Sequence, residues 1–600
     1  MGGRSIVCMC TIALFLLKCP TVPRITTSTR KESRMKKSAA VFLIVMLMSL
    51  PIPAFSAEPD VIYFNGKITT LDPAGSVAEA VAVTGGKFVG IGNTDAIKKL
   101  AGPATKMIDL GGKTVVPGFI DGHTHPAEAV RMKEKWVDAR FPGISSVKQA
   151  LANIAARVKT TPKGEWICAA ASSSSENKFS EKRLPNKTEL DLVAPENPVV
   201  FLNGTHEAVV NSLALKDMGV TKGVVRLKHG GIVMTDENGE PTGDLIEAEG
   251  DVPDSPTEEE FVRYFSKDIP ELWNRNGFTS ILGISNAQTL TALNKVATSG
   301  VVPTLRFTVP IWTDPAGRLL PEDLKTLAIS AAADPAWYRT GGIKVWIDGE
   351  PDARTGAVYE PYLGKFPGDF PGGKGILNSS QENADKLADH IEGAGLMSLF
   401  HCSADHSTDI GLNAYEKLLK AGPRKNILRI EHFGDFMMTP EQLRRAVAMD
   451  IKVSVQPAWL TNLARSNYEN LGKERADTSF RFRAMIDAGL EPSGGTDVTG
   501  IYLVNLNPFL HIWAAVTRNS DMGVFQPEQA ITVLEALKMW TVWAAKAMGE
   551  ADTKGSIEPG QYADLTVLSD DIFTIQEEGL KDVKVLMTIV GGNVAFQKKE

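Results

Sequence analysis

Residues 60 to about 116 alternate apolar and polar positions with the two-residue period of β-strands, in DVIYFNGKITTL and AEAVAVTGGKFVGIG, and Gly85-Gly86 is placed for a tight hairpin turn. The carboxyl end repeats that style in ADLTVL and VKVLMTIVGGNVAFQ, with Gly591-Gly592 at the turn. Two β-rich ends flanking a longer centre predict one small sandwich built from both termini. Between them, strand-like runs such as TSILGI, PTLRFTV, GIKVWI, GLMSLF, NILRIEHF and IKVSVQP alternate with the helical patterns PEDLKTLAISAAA, NADKLADHIEGAG and TPEQLRRAVAMD. Strand-helix alternation predicts parallel βα units.

The amino end stands outside this pattern. From Met35, MKKSAAVFLIVMLMSLPIPAFSA has a Lys-Lys start, an apolar stretch of signal-peptide length and a small-residue exit at Ala54-Phe55-Ser56 or Ala57. It reads as a secretory signal cut near residue 57, which implies a periplasmic or secreted protein. The short apolar run within residues 1–34 cannot span ~30 Å of hydrocarbon, so Met35 is the expected start and residues 1–34 an extension. No later segment has 18 uninterrupted apolar residues, so no stable membrane insertion is expected after cleavage.

Composition narrows the partners. A net charge of −7, with no basic cluster after residue 57, leaves no electrostatic footprint for nucleic acid. Of five cysteines, Cys8, Cys10 and Cys19 precede the signal, and Cys168 and Cys402 alone make no disulfide framework. Cys402 follows His401, and adjacent strand residues face opposite sides, so Cys402 is expected to pack outward as a small apolar group.

The chemistry begins at VVPGFIDGHTHP. His123 and His125 end an apolar, β-branched run two residues apart, so both imidazoles can point to one face and reach one metal ion. Alone, such a pair is common in turns. It is followed by Lys344 in GGIKVWIDG, His401 after GLMSLF, His432 after ILRIE and Asp497 in LEPSGGTDV, each at or near the carboxyl end of a short apolar run. That is the face on which a (β/α)₈ barrel carries its active site.

In this order the residues resemble the ligand set of the amidohydrolase superfamily of metal-dependent hydrolases. The chain is similar to the subgroup of N-substituted formamide deformylases and exoenzyme-regulator-like proteins, often called amidohydrolase family 3. The matching stretches are VIYFNGKITTLDP, VVPGFIDGHTHP, THEAVVNSLAL, IKVWIDGEPDARTGAVYEPY, RIEHF, VSVQP, AAVTR, ITVLEAL and GSIEPGQYADLTVL, in consistent order from about residue 60 to about residue 595. The resemblance implies an α/β fold, a (β/α)₈ TIM barrel with a small β-sandwich from both termini and an insertion subdomain after the first strand. The expected divisions are residues 1–57 as extension and signal, 58–116 and 553–600 as the two parts of the sandwich, and 117–552 as the barrel. From His125 to Lys344 the chain runs 219 residues, where three βα units need roughly 90, which places the insertion at about 140–250.

The resemblance also implies roles. His123 and His125 would hold the more buried of two divalent ions, expected to be zinc, and His401 and His432 the more exposed one. Lys344 would bridge them after CO₂ converts its amine to a carbamate. An ammonium has no lone pair to donate and is costly to bury in an apolar strand, and the carbamate removes both problems. Asp497 would bind the inner ion and act as general base, passing a proton from a metal-bridged hydroxide to the leaving nitrogen. His206 in the insertion, with Asp348, Arg354 and Gln456, would contact substrate, whereas His406 stands where the family commonly has Arg and puts an inherited anion contact there in doubt. His229, His390 and His511 read as structural. The expected activity is hydrolysis of a non-peptide C–N bond in a small amide of N-acyl or N-formyl type, the partners being that substrate and at most a second copy of the chain in a homodimer. A mononuclear hydrolytic deaminase of a small heterocycle is the alternative, against which Lys344 points to two ions. A non-catalytic periplasmic binding or regulatory protein is a further alternative, against which the complete ligand set argues.

Overall fold

The computed structural model describes residues 58–599 apart from Thr205 and residues 229–230, 253–255, 299–303, 314–333, 365–371 and 499–502. The expected signal segment, His229 and the whole of the helical pattern PEDLKTLAISAAA lie outside the described residues.

Eight parallel strands form the central sheet: β1 (Phe119–Thr124), β2 (Phe278–Gly283), β3 (Arg306–Trp312), β4 (Tyr338–Trp346), β5 (Ser398–His401), β6 (Leu428–Glu431), β7 (Lys452–Val455) and β8 (Ser493–Gly494). Each is bonded to the next in chain order. The ring closes where the chain after β8 meets β1: Asp497 N donates to His123 O at 2.8 Å and His125 N to Val498 O at 3.1 Å. This is the TIM barrel expected from the sequence.

The helices that cover it start where local chemistry dictates. In TPEQLRRAVAMD, Thr439 Oγ1 accepts from Gln442 N at 3.2 Å, Gln442 Oε1 accepts from Thr439 N at 3.0 Å, and Pro440 fills the first helical position of Pro440–Ala448. Outward-facing strand residues such as Ile343, Val345, Phe400, Ile430 and Val453 share one core with Leu387, Ile391, Tyr415 and Leu463 of the surrounding helices. Burial of each side chain contributes about 1.5–3 kcal/mol. Cys402 faces this layer, as expected: a Cβ added to Gly411 of the helix Asp405–Ala421 would meet its Sγ at 2.9 Å.

Strand alternation therefore sends Ile343 and Val345 outward and Lys344 inward, and the same rule holds in β1 for Asp121 and His123. The seam between β1 and β8 has no spare room. A Cβ on Gly122 would lie 2.0 Å from Ser493 Oγ and 2.7 Å from Gly494 O. Gly122→Ala is accordingly expected to cost about 1–3 kcal/mol by overpacking, read as a lower midpoint in urea; an unchanged midpoint would mean that the seam relaxes freely.

Two smaller sheets pack together, and one of them joins residues from both ends of the chain. One has four strands between Val61 and Asp109, and the other pairs Lys67–Thr69, Val77–Ala78 and Thr114–Pro117 with Leu565–Leu568, Val585–Val590 and Asn593–Gln597. Tyr63, Val81, Phe88 and Val115 share a core with Leu565, Val567 and Ile589. Gly85-Gly86 and Gly591-Gly592 all have positive φ, the left-handed pair that a two-residue hairpin needs. Between β1 and β2 the chain builds a separate six-stranded sheet, with strands from Val137–Asp138 to Pro241–Ile246 and apolar clusters on both faces. Among the described residues no helix is long and apolar enough to cross a membrane.

Candidate metal centre

His123, His125, Lys344, His401, His432 and Asp497 come from five different strand ends and are all buried. His123 Nε2 and His125 Nε2 lie 3.4 and 3.1 Å from Asp497 Oδ1. His401 and His432 form a second group with Glu350, each offering a ligand atom within 4.8 Å of the other two. The rings of His123 and His432 are 4.8 Å apart, which brings the two groups together.

Three of the four rings are held from behind by hydrogen bonds. His123 Nδ1 is 2.5 Å from Glu431 Oε2. Burial favours the neutral carboxyl of Glu431, but Arg429, His123 and Lys344 outweigh it and hold the group well below the usual carboxylate range. Glu431 is thus an anion, His123 Nδ1 must be the donor, and its Nε2 lone pair is left facing Asp497. His432 Nδ1 meets Gln456 Oε1 at 2.8 Å, and Gln456 N is anchored on Asp435. His401 donates Nε2 to Gly349 O at 3.3 Å, leaving Nδ1 as its acceptor. Trp346 stacks on His401 at 4.8 Å and Trp459 on His432 at 5.4 Å, both nearly coplanar.

Two of these residues sit in strained backbone. His432 has φ +65° and Asp497 +44°, left-handed conformations that cost about 1–3 kcal/mol in a residue other than glycine. At His432 the strain has a purpose. Residues 431 and 432 of a regular strand would face opposite sides, and the left-handed turn swings the imidazole into the mouth that already holds the Glu431 carboxylate. In the loop carrying Asp497, Gly495 is pressed on His123, where an added Cβ would be 2.5 Å from His123 Cβ. Asp121 fastens the same loop, accepting from Thr496 N at 2.9 Å and Thr496 Oγ1 at 2.6 Å.

The electrostatics suit cation binding. Burial, with Lys344 and neighbouring imidazoles, pushes His401 and His432 well below their ordinary values, so both are neutral lone-pair donors. Burial pushes Lys344 down to about 8, against the opposing pull of Glu431 and Asp497. His123 Nε2, His125 Nδ1, His401 Nδ1 and Asp497 Oδ1 are buried without a hydrogen-bond partner among the described residues. A stranded polar atom costs about 1–3 kcal/mol, and a cation at this point satisfies several of them together. The donor set therefore fits divalent metal.

The expected substrate contacts divide. His206 lies at the centre's edge: its ring is 6.4 Å from that of His401, its Nδ1 is 2.8 Å from Glu247 Oε1 and its Nε2 3.3 Å from Glu350 Oε1. Burial lowers its pKa, but the two glutamates outweigh that and raise it well above the usual value, making an imidazolium. Gln456 orients His432. Asp348 accepts from Ala357 N at 2.9 Å and Ser403 N at 3.1 Å, bracing the loop after β4. Arg354 donates to Leu363 O at 2.8 Å and Asn470 Oδ1 at 3.3 Å and covers the Tyr362 ring, so it braces the same loop. His511 is structural, accepting from Ala458 N and bonding Asn505 O. His390 lies in the helix Gln381–Gly393, and His406 stacks on Tyr359. Glu350 and Glu431 are not among the residues expected from the sequence; Glu431 lies in the stretch RIEHF, where strand alternation would turn it away from His432.

Glu431 and Arg429 form a fully buried pair, Nε to Oε1 at 2.8 Å, with Arg429 also donating to Gly122 O and Ala547 O. Removing one partner strands the other. Glu431→Gln is expected to lower stability by about 3–5 kcal/mol and to lower metal content by freeing the His123 ring. Denaturant unfolding and metal analysis test this, and wild-type values in both would remove Glu431 from the centre's support.

The family model described as the amidohydrolase family matches residues 106–596. The chain belongs to the amidohydrolase family. It is 27% identical over 560 residues to N-substituted formamide deformylase of Arthrobacter pascens, covering 90% of this chain and 98% of that one. It is 28% identical over 599 residues to the protein LONG AFTER FAR-RED 3 of Arabidopsis thaliana, covering 93% and 97%. The crystal structure of a metal-dependent hydrolase from Pyrococcus horikoshii has the same fold, with a TM-score of 0.66 at 23% identity over 86% of this chain and 99% of that one. This amidohydrolase is a metal-dependent enzyme that hydrolyses carbon–nitrogen bonds, with two candidate metal-binding groups of residues at the carboxyl ends of the barrel strands.

Proposed function

We propose that this amidohydrolase cleaves an N-acyl or N-formyl amine, with two zinc ions held by His123 and His125 on one side and His401 and His432 on the other, and with carbamylated Lys344 between them. The observation that carries the reading is the burial of Lys344 at the middle of the ligand set, where Glu431, Asp497 and both outer histidines feel its charge. A pair of divalent ions, when bound, brings the pKa of water from ~15.7 to about 7 and polarises a carbonyl oxygen.

The chain's own residues do the rest. An amine held at a pKa of about 8 is in part unprotonated at neutral pH and able to add CO₂, and the carbamate supplies two anionic oxygens. Asp497, with its carboxylate against both His123 and His125, takes the proton from the attacking water and passes it to the leaving nitrogen. Trp312, Trp346 and Trp459 stand beside the ligand rings and keep bulk water from their rear faces. The similarity to a formamide deformylase supports an amide over a heterocyclic amine as substrate. Amine release from N-formyl and N-acyl amines by the zinc-loaded enzyme tests the reading, and release of ammonia from aminated heterocycles alone would replace it with the deaminase.

The location belongs to the same proposal. The Lys-Lys, apolar and small-residue sections between Met35 and Ala57 support export, with a mature chain starting at Ala57 or Glu58. Amino-terminal sequencing of the native protein checks this; a soluble cytoplasmic form that keeps residues 35–57 would contradict it.

A further inference from the structure

The inserted sheet reaches the metal centre through His206. This residue follows the strand Val199–Asn203, and Glu247, just past the strand Pro241–Ile246, donates its N–H to His206 O at 2.8 Å and holds His206 Nδ1 on its carboxylate at 2.8 Å. The other ring nitrogen, Nε2, is 3.3 Å from Glu350 Oε1. Glu247 is the nearer carboxylate, and one carboxylate is enough to pair one imidazolium. Neutralising His206 therefore does not account for Glu350.

Glu350 stands in the turn after β4 with its backbone fixed. Its N–H donates to Thr355 Oγ1 at 2.8 Å, and its carbonyl accepts from Thr355 N at 3.0 Å. Gly349 lets this turn press on the insertion: an added Cβ would lie 2.1 Å from Thr355 Oγ1 and 2.3 Å from Glu247 Oε1. Glu350 is 8% exposed, and its carboxylate comes within 4.8 Å of ligand atoms of both His401 and His432. Those rings are each tied on one side only. His401 gives Nε2 to Gly349 O and His432 gives Nδ1 to Gln456 Oε1, which leaves His401 Nδ1 and His432 Nε2 as acceptors, and His401 Nδ1 has no hydrogen-bond partner among the described residues. Two acceptor nitrogens and an anion offer no donor to one another, so what all three can bind together is a cation. The inner group has the same make-up, with His123 Nε2 and His125 Nε2 at 3.4 and 3.1 Å from Asp497 Oδ1. Two histidines and a carboxylate are a set that holds catalytic zinc and keeps a position open.

We propose that Glu350 is the third protein ligand of the outer ion, beside His401, His432 and the bridge, and that His206 of the inserted sheet positions it. The assignment rests on the two-ion reading, and the test separates the two. The measurement is calorimetric titration of the metal-free protein with Zn²⁺ in bicarbonate buffer. Glu350→Ala is expected to weaken the second ion by more than ~100-fold, past the ~10–100-fold typical when a ligand loses only an outer hydrogen-bond partner. Glu350→Gln keeps the shape of the turn and carries the same titration if the first variant does not fold. His206→Asn keeps the ligand but loosens it, so the second ion should weaken by ~10–100-fold with the first ion unmoved; a second ion bound as in the wild type, or both ions weakened alike, would remove His206 from the positioning role. Wild-type affinity for both ions in the Glu350 variants would overturn the ligand assignment. A crystal structure of the zinc-loaded wild type separates a ligand from a neighbouring charge: a Glu350 oxygen at about 2.0–2.2 Å from the outer ion supports the proposal, and a carboxylate still on His206 and clear of the ion overturns it. If the wild type takes up a single ion, the two-ion reading fails by itself; weakening of that ion in Glu350→Ala still places Glu350 on it, and an unchanged affinity overturns the assignment.

Discussion

Asp497→Asn is expected to lower kcat by ~10²–10⁴-fold while leaving the fold and most of the bound metal in place, since a proton acceptor is lost but an oxygen ligand is kept. The backbone at 497 tolerates the change, because Asn is among the few residues that adopt positive φ readily, and the bond from its N–H to His123 O does not depend on the side chain. The four histidines and Lys344 remain to hold the ions. The measurement is kcat with metal content on the same sample. Near wild-type kcat would move the proton-transfer role to another group, His206 being the nearest imidazole on the insertion side. Loss of metal and activity together would make Asp497 chiefly a ligand.

Lys344→Ala is the complementary case, in which the metal itself is expected to go. Removing this side chain deletes the amine proposed to carry the bridging carbamate and leaves a cavity at the barrel centre. Metal content after gentle purification with bicarbonate should fall from about two ions per chain toward one or fewer, with turnover lost alongside. Large-to-small truncation in a core costs about 2–5 kcal/mol, offset here by relief of burying an amine. Retention of two ions by a folded Lys344→Ala protein would take Lys344 out of the centre.

The residues that gather at the candidate centre were legible in the sequence because each lies at or near the end of a short apolar run, and a parallel barrel brings such ends to one face. His123, His125, Lys344, His401, His432 and Asp497 needed no loop geometry to be found. The hairpins at Gly85-Gly86 and Gly591-Gly592 were legible for a similar reason, since few residues besides glycine allow two successive positive φ values. Glu431 was hidden by alternation, which places it opposite His432; the left-handed backbone at His432 cancels that rule, and no local signal announces it. Glu350 lies in an irregular turn where an acid is ordinarily a solvated loop residue. Gln456, Asp348 and Arg354 stood out by resemblance alone, and their hydrogen bonds show them orienting a ligand ring or bracing a loop.

The most direct test of the central claim is a single assay of amine release from a panel of N-formyl and N-acyl amines, run on the protein loaded with zinc and bicarbonate, on the same protein after chelation, and again after zinc is restored. Release that disappears with the metal and returns with about two zinc ions per chain is the expected result. Folded protein carrying two ions that releases no amine from any member of the panel would contradict the account.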